Sequence, residues 1–251
     1  MNENSNIFLN KKILVYGLGK SGISTFNFLK RYNKISLFDD SKIIKLKKKF
    51  KNKLISINKV RKLKFDLIIL SPGININKCK LKNFLKKNSK IIYSDLDVFY
   101  SFYKNKCVTI TGTNGKSTSC QLLYEVFKKH GLDVKLAGNI GYPILSVKNI
   151  KKKSIFVIEA SSYQLAYSKF FTSRYAAILN ISPDHLERHK SLKNYISAKF
   201  KLIKNQNKDA VAFINKYDKF LLKEIKKKIH KCKVIKVETK LNSKIVNSFK
   251  N

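Results

Sequence analysis

Val108-Thr109-Ile110-Thr111-Gly112-Thr113-Asn114-Gly115-Lys116-Ser117-Thr118 is the stretch of this chain best equipped to handle a phosphate. β-Branched residues run into a glycine turn, and the turn into an amphipathic segment, which reads as a buried strand, a loop and a helix N-terminus. Backbone N–H groups freed by Gly112 and Gly115 can point at one anion, Lys116 supplies a mobile positive charge, and the Ser117 hydroxyl is a ligand for magnesium. The strict phosphate-loop pattern has another glycine five residues before Gly115, where this chain has Ile110, so the loop is a shortened variant.

Three further groups of residues carry chemistry. Gly17-Leu18-Gly19-Lys20-Ser21-Gly22 lies between an apolar strand at 12–16 and a helical stretch from 23 to about 31, and the next strand, 35–38, ends on Asp39 and Asp40. A tight glycine turn, a helix N-terminus and an acid about 20 residues on make a dinucleotide fingerprint, which predicts a bound nucleotide diphosphate without saying which. Glu159 closes the apolar run 155–158, the position downstream of a phosphate loop where a magnesium ligand sits. The cluster Asp184-His185-Leu186-Glu187-Arg188-His189 follows a strand at 175–179 and is a candidate site. Its histidines are four apart but lack an HExxH frame, so zinc is not expected.

These groups need strands to carry them, and the pattern supplies an α/β alternation. In the first unit a basic helical stretch at 42–51 leads to short strands at 54–57 and 66–70. The second of these enters the turn Ser71-Pro72-Gly73, which is either purely structural or lets backbone approach a ligand. A helix at 80–87 and a strand at 90–93 follow. The polar residues 103–106 divide residues 1–103 from 104–251, where the alternation restarts with the phosphate-loop strand. The second unit continues with a helix at 117–130 and strands at 134–137, 155–158 and 175–179. A helix at 191–204 carries Lys199, and strands at 209–214 and 233–237 flank a basic helix. Residues 241–251 are rich in lysine and asparagine and bring no closing element, so the second unit is expected to be incomplete.

The 251 residues carry a formal charge of +39, which would ordinarily point to nucleic acid. Only Arg31, Arg61, Arg174 and Arg188 are arginine, and the lysines are spread through every segment. Bidentate base and phosphate readout leans on arginine, so the excess reads as solvated helix faces and no nucleic-acid partner is expected. Cys79, Cys107, Cys120 and Cys232 show no CxxC spacing and are expected to be reduced. No apolar run approaches the roughly 18 residues of a membrane span, and the amino terminus has no signal-peptide pattern, so a cytoplasmic chain with no membrane partner is expected.

Taken together, Gly112-Thr-Asn-Gly-Lys-Ser-Thr118, Gly138-Asn-Ile-Gly141, Glu159-Ala-Ser-Ser-Tyr-Gln-Leu165 and Asn180-Ile-Ser-Pro-Asp-His-Leu186 resemble the Mur ligases. The Gly17–Gly22 turn and Ser71-Pro-Gly73 are similar to the branch that adds D-glutamate. The resemblance implies a Rossmann-like domain for the UDP of a cell-wall precursor rather than NAD, then a P-loop-type α/β ATPase domain. It also implies a third domain, to which nothing in this sequence corresponds. The reaction implied joins D-glutamate to UDP-N-acetylmuramoyl-L-alanine at the expense of ATP, through an acyl phosphate, in peptidoglycan precursor synthesis.

By the same resemblance, the loop Gly112, Thr113, Asn114, Gly115, Lys116, Ser117 and Thr118 holds ATP. Ser117 and Glu159 ligate one magnesium and His185 a second, while Lys199 corresponds to a lysine carried as a CO2-derived carbamate. Asn139, Ser161 and Gln164, with His185, face the muramoyl-peptide substrate, and Gly19, Ser21, Asp40 and Gly73 hold its UDP end. The family often has Thr and Arg where Asp40 and Ser41 stand. A monomer is expected, with a separate carboxyl-terminal half as a possible partner. Two other readings share the nucleotide site: a non-catalytic nucleotide-binding fragment, and another Mur or folylpolyglutamate-type ligase with a different acceptor.

Overall fold

The computed structural model describes residues 6–41, 50, 52–227 and 229–238. Strands β1 (Lys12–Tyr16), β2 (Lys34–Phe38), β3 (Leu67–Leu70) and β4 (Ile92–Tyr93) form a parallel sheet in the order β2-β1-β3-β4. Tyr16 lies opposite Phe38 on one side and Leu70 on the other. All of β3 and all of β1 after Lys12 are buried, as parallel strands covered on both faces must be. Helices α1 (Lys20–Leu29), α2 (Ile57–Lys62) and α3 (Lys82–Lys87) connect these strands, and α4 (Asp95–Phe102) follows β4.

The second sheet is also parallel. Its strands β5 (Cys107–Thr111), β6 (Val134–Gly138), β7 (Ile155–Glu159), β8 (Tyr175–Ile178), β9 (Val211–Asn215) and β10 (Lys233–Val237) run in the order β10-β9-β8-β5-β7-β6. The helices of this unit are α5 (Lys116–Lys129), α6 (Ser162–Tyr167), α7 (Leu186–His189), α8 (Leu192–Lys204) and α9 (Lys219–Lys226). In both sheets the chain leaves a central strand, β1 or β5, in one direction and later returns to its other side. Ligand crevices of open α/β sheets lie at the carboxyl ends of strands flanking such a reversal. The α/β class expected from the sequence is the one found.

Three expectations need correction. α1 starts at Lys20 rather than 23 because Gly19 is already its N-cap, and α5 likewise starts at Lys116 with Gly115 as its cap. The strand expected at 54–57 is a single bridge from Leu54 to Leu37, after which the Ser56 hydroxyl accepts the Lys59 N–H at 3.3 Å and opens α2. Residues 42–49 and 51 of the expected basic helix, and 241–251, lie outside the described residues.

The two sheets share a core. Phe99 on α4 packs edge to face on Phe156 of β7 at 4.8 Å, and one apolar cluster includes Ile13 and Val15 as well as Phe156 and Ile158. A buried carboxylate reinforces the join. Asp97 closes a capping box with Ser94 at the start of α4, and it also accepts the Ser168 hydroxyl at 2.8 Å and the backbone N–H groups of Lys169, Phe170 and Phe171. Charge-assisted hydrogen bonds of this kind are roughly twice as strong as neutral ones. They fix the loop after α6 to α4, and so fix the walls of the crevice described next.

Candidate active site

Gly112, at φ +154°, turns the chain away from β5, and Gly115, at φ +79°, caps α5 in the left-handed region. No side chain caps either α1 or α5, so both helices leave their first N–H groups open. The phosphate loop is braced from β8: Asn180 Oδ1 accepts the N–H groups of Thr113 at 3.1 Å and Asn114 at 2.9 Å. The Thr113 hydroxyl in turn meets Tyr195 Oη at 3.0 Å. Lys116 Nζ rests on the Thr113 carbonyl at 2.7 Å, while Thr118 is exposed on the first turn of α5.

Glu159 is 1% exposed and faces two ways. Its Oε2 accepts the Ser117 hydroxyl at 2.8 Å, and its Oε1 accepts Asn139 Nδ2 at 2.8 Å. Gly138 makes this possible, since a Cβ there would stand 2.3 Å from the Glu159 carbonyl oxygen. A serine hydroxyl and a carboxylate side by side are hard oxygen donors that fit magnesium, which takes one or two carboxylates and completes its shell with phosphate oxygens and water. Among the described residues no three His, Cys, Asp or Glu side chains group as a metal site.

Lys199 lies on the buried face of α8 at 1% exposure. Its Nζ donates to the Gly112 carbonyl at 2.7 Å and stands 4.6 Å from the Tyr195 ring. Burial first, and the neighbouring Lys116 charge second, push its ammonium down to about 7.

A crevice of about 360 Å³ opens beside this loop, between the carboxyl ends of the two sheets. Gly19, Ser21, Gly73, Asn139 and Gln164 all line it, so five of the residues expected at the precursor are brought together from four separate segments. Three expected residues stand elsewhere. Ser161 is the N-cap of α6 and exchanges hydrogen bonds with Gln164. Asp40 accepts the Tyr16 hydroxyl at 2.6 Å; burial, Asp40 and Cys79 together drive that phenol upward. It is Asp39 that lines the crevice, its carboxylate taking the Leu18 N–H at 2.6 Å. His185 is half-exposed, in the left-handed region at φ +54°, with its ring 5.0 Å from Tyr163 and Nδ1 3.4 Å from Asp184.

Arg188 and His189 of the same cluster also make contacts that hold neighbouring segments. Arg188 lies 3.7 Å over the Tyr163 ring and donates to the carbonyls of Pro72 and Ile74, holding the Ser71-Pro72-Gly73 turn. His189 meets the Ser162 hydroxyl at 3.0 Å, and burial, then the Arg188 charge, pushes it down to about 4. All four cysteines are buried and free, and burial lifts Cys107 and Cys120 to about 12.

Comparison with known proteins gives the family of the chain. Residues 110–250 match the Mur ligase middle domain, and residues 11–93 match the Mur ligase MurD-like N-terminal domain. The chain belongs to the Mur ligase family. It is 40% identical over 214 residues to a UDP-N-acetylmuramoylalanine–D-glutamate ligase of Rickettsia prowazekii, a match covering 84% of this chain and 47% of that protein. A ligase of the same name from Lachnoclostridium phytofermentans is 37% identical, over 85% of this chain and 49% of the other. The chain thus spans about half the length of the curated relatives it matches. Among solved structures, the UDP-N-acetylmuramate:L-alanyl-gamma-D-glutamyl-meso-diaminopimelate ligase of Neisseria meningitides aligns with a TM-score of 0.58 at 16% identity, over 90% of this chain and 78% of that one. That likeness is one of fold. Within this Mur ligase chain, sequence reasoning passed over Asp97, and it named Asp39 and Arg188 without the contacts that the structure gives them. Ser94-x-x-Asp97 was visible as a capping box, whereas nothing in the sequence ties Arg188 to a turn more than 100 residues away.

Proposed function

We propose that this chain is the nucleotide- and precursor-binding part of an ATP-dependent ligase that adds D-glutamate to UDP-N-acetylmuramoyl-L-alanine in cytoplasmic peptidoglycan precursor synthesis. The observation that carries the reading is the chain of hydrogen bonds from Ser117 through Glu159 to Asn139. One buried carboxylate is shared by the phosphate loop and the crevice, so a nucleotide on the first and the carboxylate end of a ligand in the second would meet there.

In the reaction proposed, a carboxylate oxygen of the precursor's alanine attacks the γ-phosphorus of ATP, and the bond to the bridging oxygen breaks to release ADP. The D-glutamate amine then adds to the acyl carbon, loses its proton, and phosphate leaves. Two anions must approach in the first step, and this chain answers with Lys116 and the open N–H groups at the start of α5. Magnesium, when bound, neutralises charge on the phosphate oxygens; Ser117 and Glu159 would hold it, with His185 at a second position. Lys199, with an ammonium near neutrality, keeps roughly half of its amine uncharged at pH 7. That is the form able to add CO2 and release one proton as a carbamate. The division into units 1–103 and 104–251, and a monomeric chain, belong to the same proposal.

A second reading is favoured by one fact, the coverage of about half of each relative. On it, the chain binds both ligands and turns over only with a second polypeptide. Phosphate release is measured with ATP, magnesium, the precursor and D-glutamate, each omitted in turn. Release that needs both precursor and D-glutamate supports the ligase on its own. Binding of both ligands without release supports the second reading, and failure to bind ATP, with Lys116→Ala no different from the parent, overturns both.

A further inference from the structure

Asp95 is a buried acid that touches the crevice lining through Gln164 and that the reading above leaves without a role. It opens α4 and is 3% exposed. Its two carboxyl oxygens each stand 3.3 Å from Gln164 Nε2, and Ser21 is a neighbour that favours its ionised form. Ser21 and Gln164 come from opposite walls, α1 and α6, and both line the crevice. Asp95 itself lines none of it.

The hydrogen-bond inventory of these side chains decides what they offer a ligand. Gln164 Oε1 is occupied by the backbone N–H and the hydroxyl of Ser161, both at 3.2 Å. One N–H of Nε2 goes to Asp95, which leaves the second N–H as the only unassigned group of that carboxamide. The Ser21 hydroxyl on the facing wall has lone pairs to offer. Burial outweighs the lowering effect of Gln164 and Ser21 and raises the Asp95 carboxyl from its ordinary value.

We propose that Asp95 is a positioning residue of the crevice. It orients Gln164 as a donor across the crevice from the Ser21 hydroxyl, so that the pair recognises a ligand group that both donates and accepts, such as an acylamino or hydroxyl group of the sugar-peptide precursor. This rests on the crevice being the precursor site. Asp95→Asn keeps the volume of the side chain but removes its charge and replaces one acceptor oxygen with a donor, so Gln164 is no longer held by a carboxylate that offers both oxygens.

The test compares the dissociation constants of UDP-N-acetylmuramoyl-L-alanine and of ATP with magnesium, by calorimetry, in the full chain and in Asp95→Asn, Gln164→Leu and the double variant. Asp95→Asn is expected to weaken precursor binding roughly tenfold and leave ATP binding unchanged. Adding it to Gln164→Leu should cost much less than that tenfold, because the two residues act through one another. The side-chain NH2 signals of Gln164 in a proton–nitrogen correlation spectrum should move in Asp95→Asn, a readout that stands if binding is weak. Unchanged precursor affinity, or strictly additive effects, overturns the proposal while leaving the crevice assignment intact. Absence of precursor binding in the parent chain overturns the crevice assignment and this proposal with it. If Asp95→Asn loses its cooperative melt, Ser21→Ala at the crevice rim carries the same comparison, and precursor affinity equal to the parent overturns the proposal.

Discussion

The chain contains the same local device twice, a buried parallel strand, a glycine turn and an uncapped helix opening on Lys-Ser, and the two copies differ in what stands behind the turn. Behind the Gly17–Gly22 turn is an anion: Asp39 takes the Leu18 N–H, so part of the turn's donor capacity is already spent on a carboxylate. Behind the Gly112–Lys116 turn are a neutral amide, Asn180, and two lysines, Lys116 and the buried Lys199, while the carboxylate of Glu159 meets the Ser117 hydroxyl rather than a turn N–H. The backbone grammar is shared, while the charge is not. A turn backed by a carboxylate suits a diphosphate that is held and left intact; one backed by cations suits a more highly charged phosphate chain whose terminal group is to be transferred.

The steric demands of the two turns differ as much as their charge, and this gives the largest expected effect. A Cβ on Gly22 would lie 1.8 Å from the Gly17 carbonyl oxygen and 2.7 Å from Ser71 Oγ, with no flexible neighbour able to yield. Gly22→Ala should therefore destabilise the chain by about 3 kcal/mol in urea unfolding, and abolish precursor binding. At Gly115 the nearest atom to an added Cβ is Leu179 Cδ1 at 3.6 Å, so Gly115→Ala meets only the cost of a left-handed residue, about 1 kcal/mol. Equal losses for the two variants would break the distinction between a glycine required by close packing and one required only by its backbone conformation.

Charge gives a smaller, more selective effect. Lys116→Met should weaken ATP binding roughly a hundredfold, the loss of a charge-assisted contact, with precursor binding unchanged. Lys20→Met, at the equivalent place on the exposed start of α1, should weaken precursor binding by no more than about threefold. Calorimetric titration of both variants against both ligands checks the pair, and similar losses would show that the two turns work alike.

Much of this was legible in the sequence. Buried parallel strands are near-continuous apolar runs, so 12–16 was read to the residue, the half-exposed edge strand 233–237 was read from its β-branched residues, and glycines that mark turns placed both loops. The helix α2 was missed because residues 54–57 look like a short apolar strand, and only the cap at Ser56 reveals otherwise. Convergence was harder to see. Gly19, Gly73, Asn139 and Gln164 become neighbours through the packing of α4 between two sheets, which local pattern does not encode. Nor does local pattern say that the Asp95 and Asp97 side chains point inward to Gln164 and to the loop after α6, rather than outward as helix-opening acids often do. Lys199 is the extreme case: only its place on the buried face of α8 separates it from the other lysines.

Lys199 also supplies the finest test of the contrast, since no lysine is buried behind the first turn. Its ammonium is pushed down from 10.5 to about 7. Between those values the unfolded chain binds the proton and the folded chain does not, so this residue makes stability rise with pH across roughly 7 to 10.5, and below that window its contribution is constant and unfavourable. Lys199→Met removes the titration with little change in volume. In CO2-free buffer the stability difference between the variant and the parent should therefore favour the variant most near pH 7 and shrink as the pH rises. Lys116→Met, by removing the like charge named second among the causes, should move the start of that window upward by a fraction of a pH unit. A difference that stays flat from pH 7 to 10 would mean that the lysine is charged in the folded chain throughout, and that the second turn is backed by a permanent cation rather than by an amine free to react.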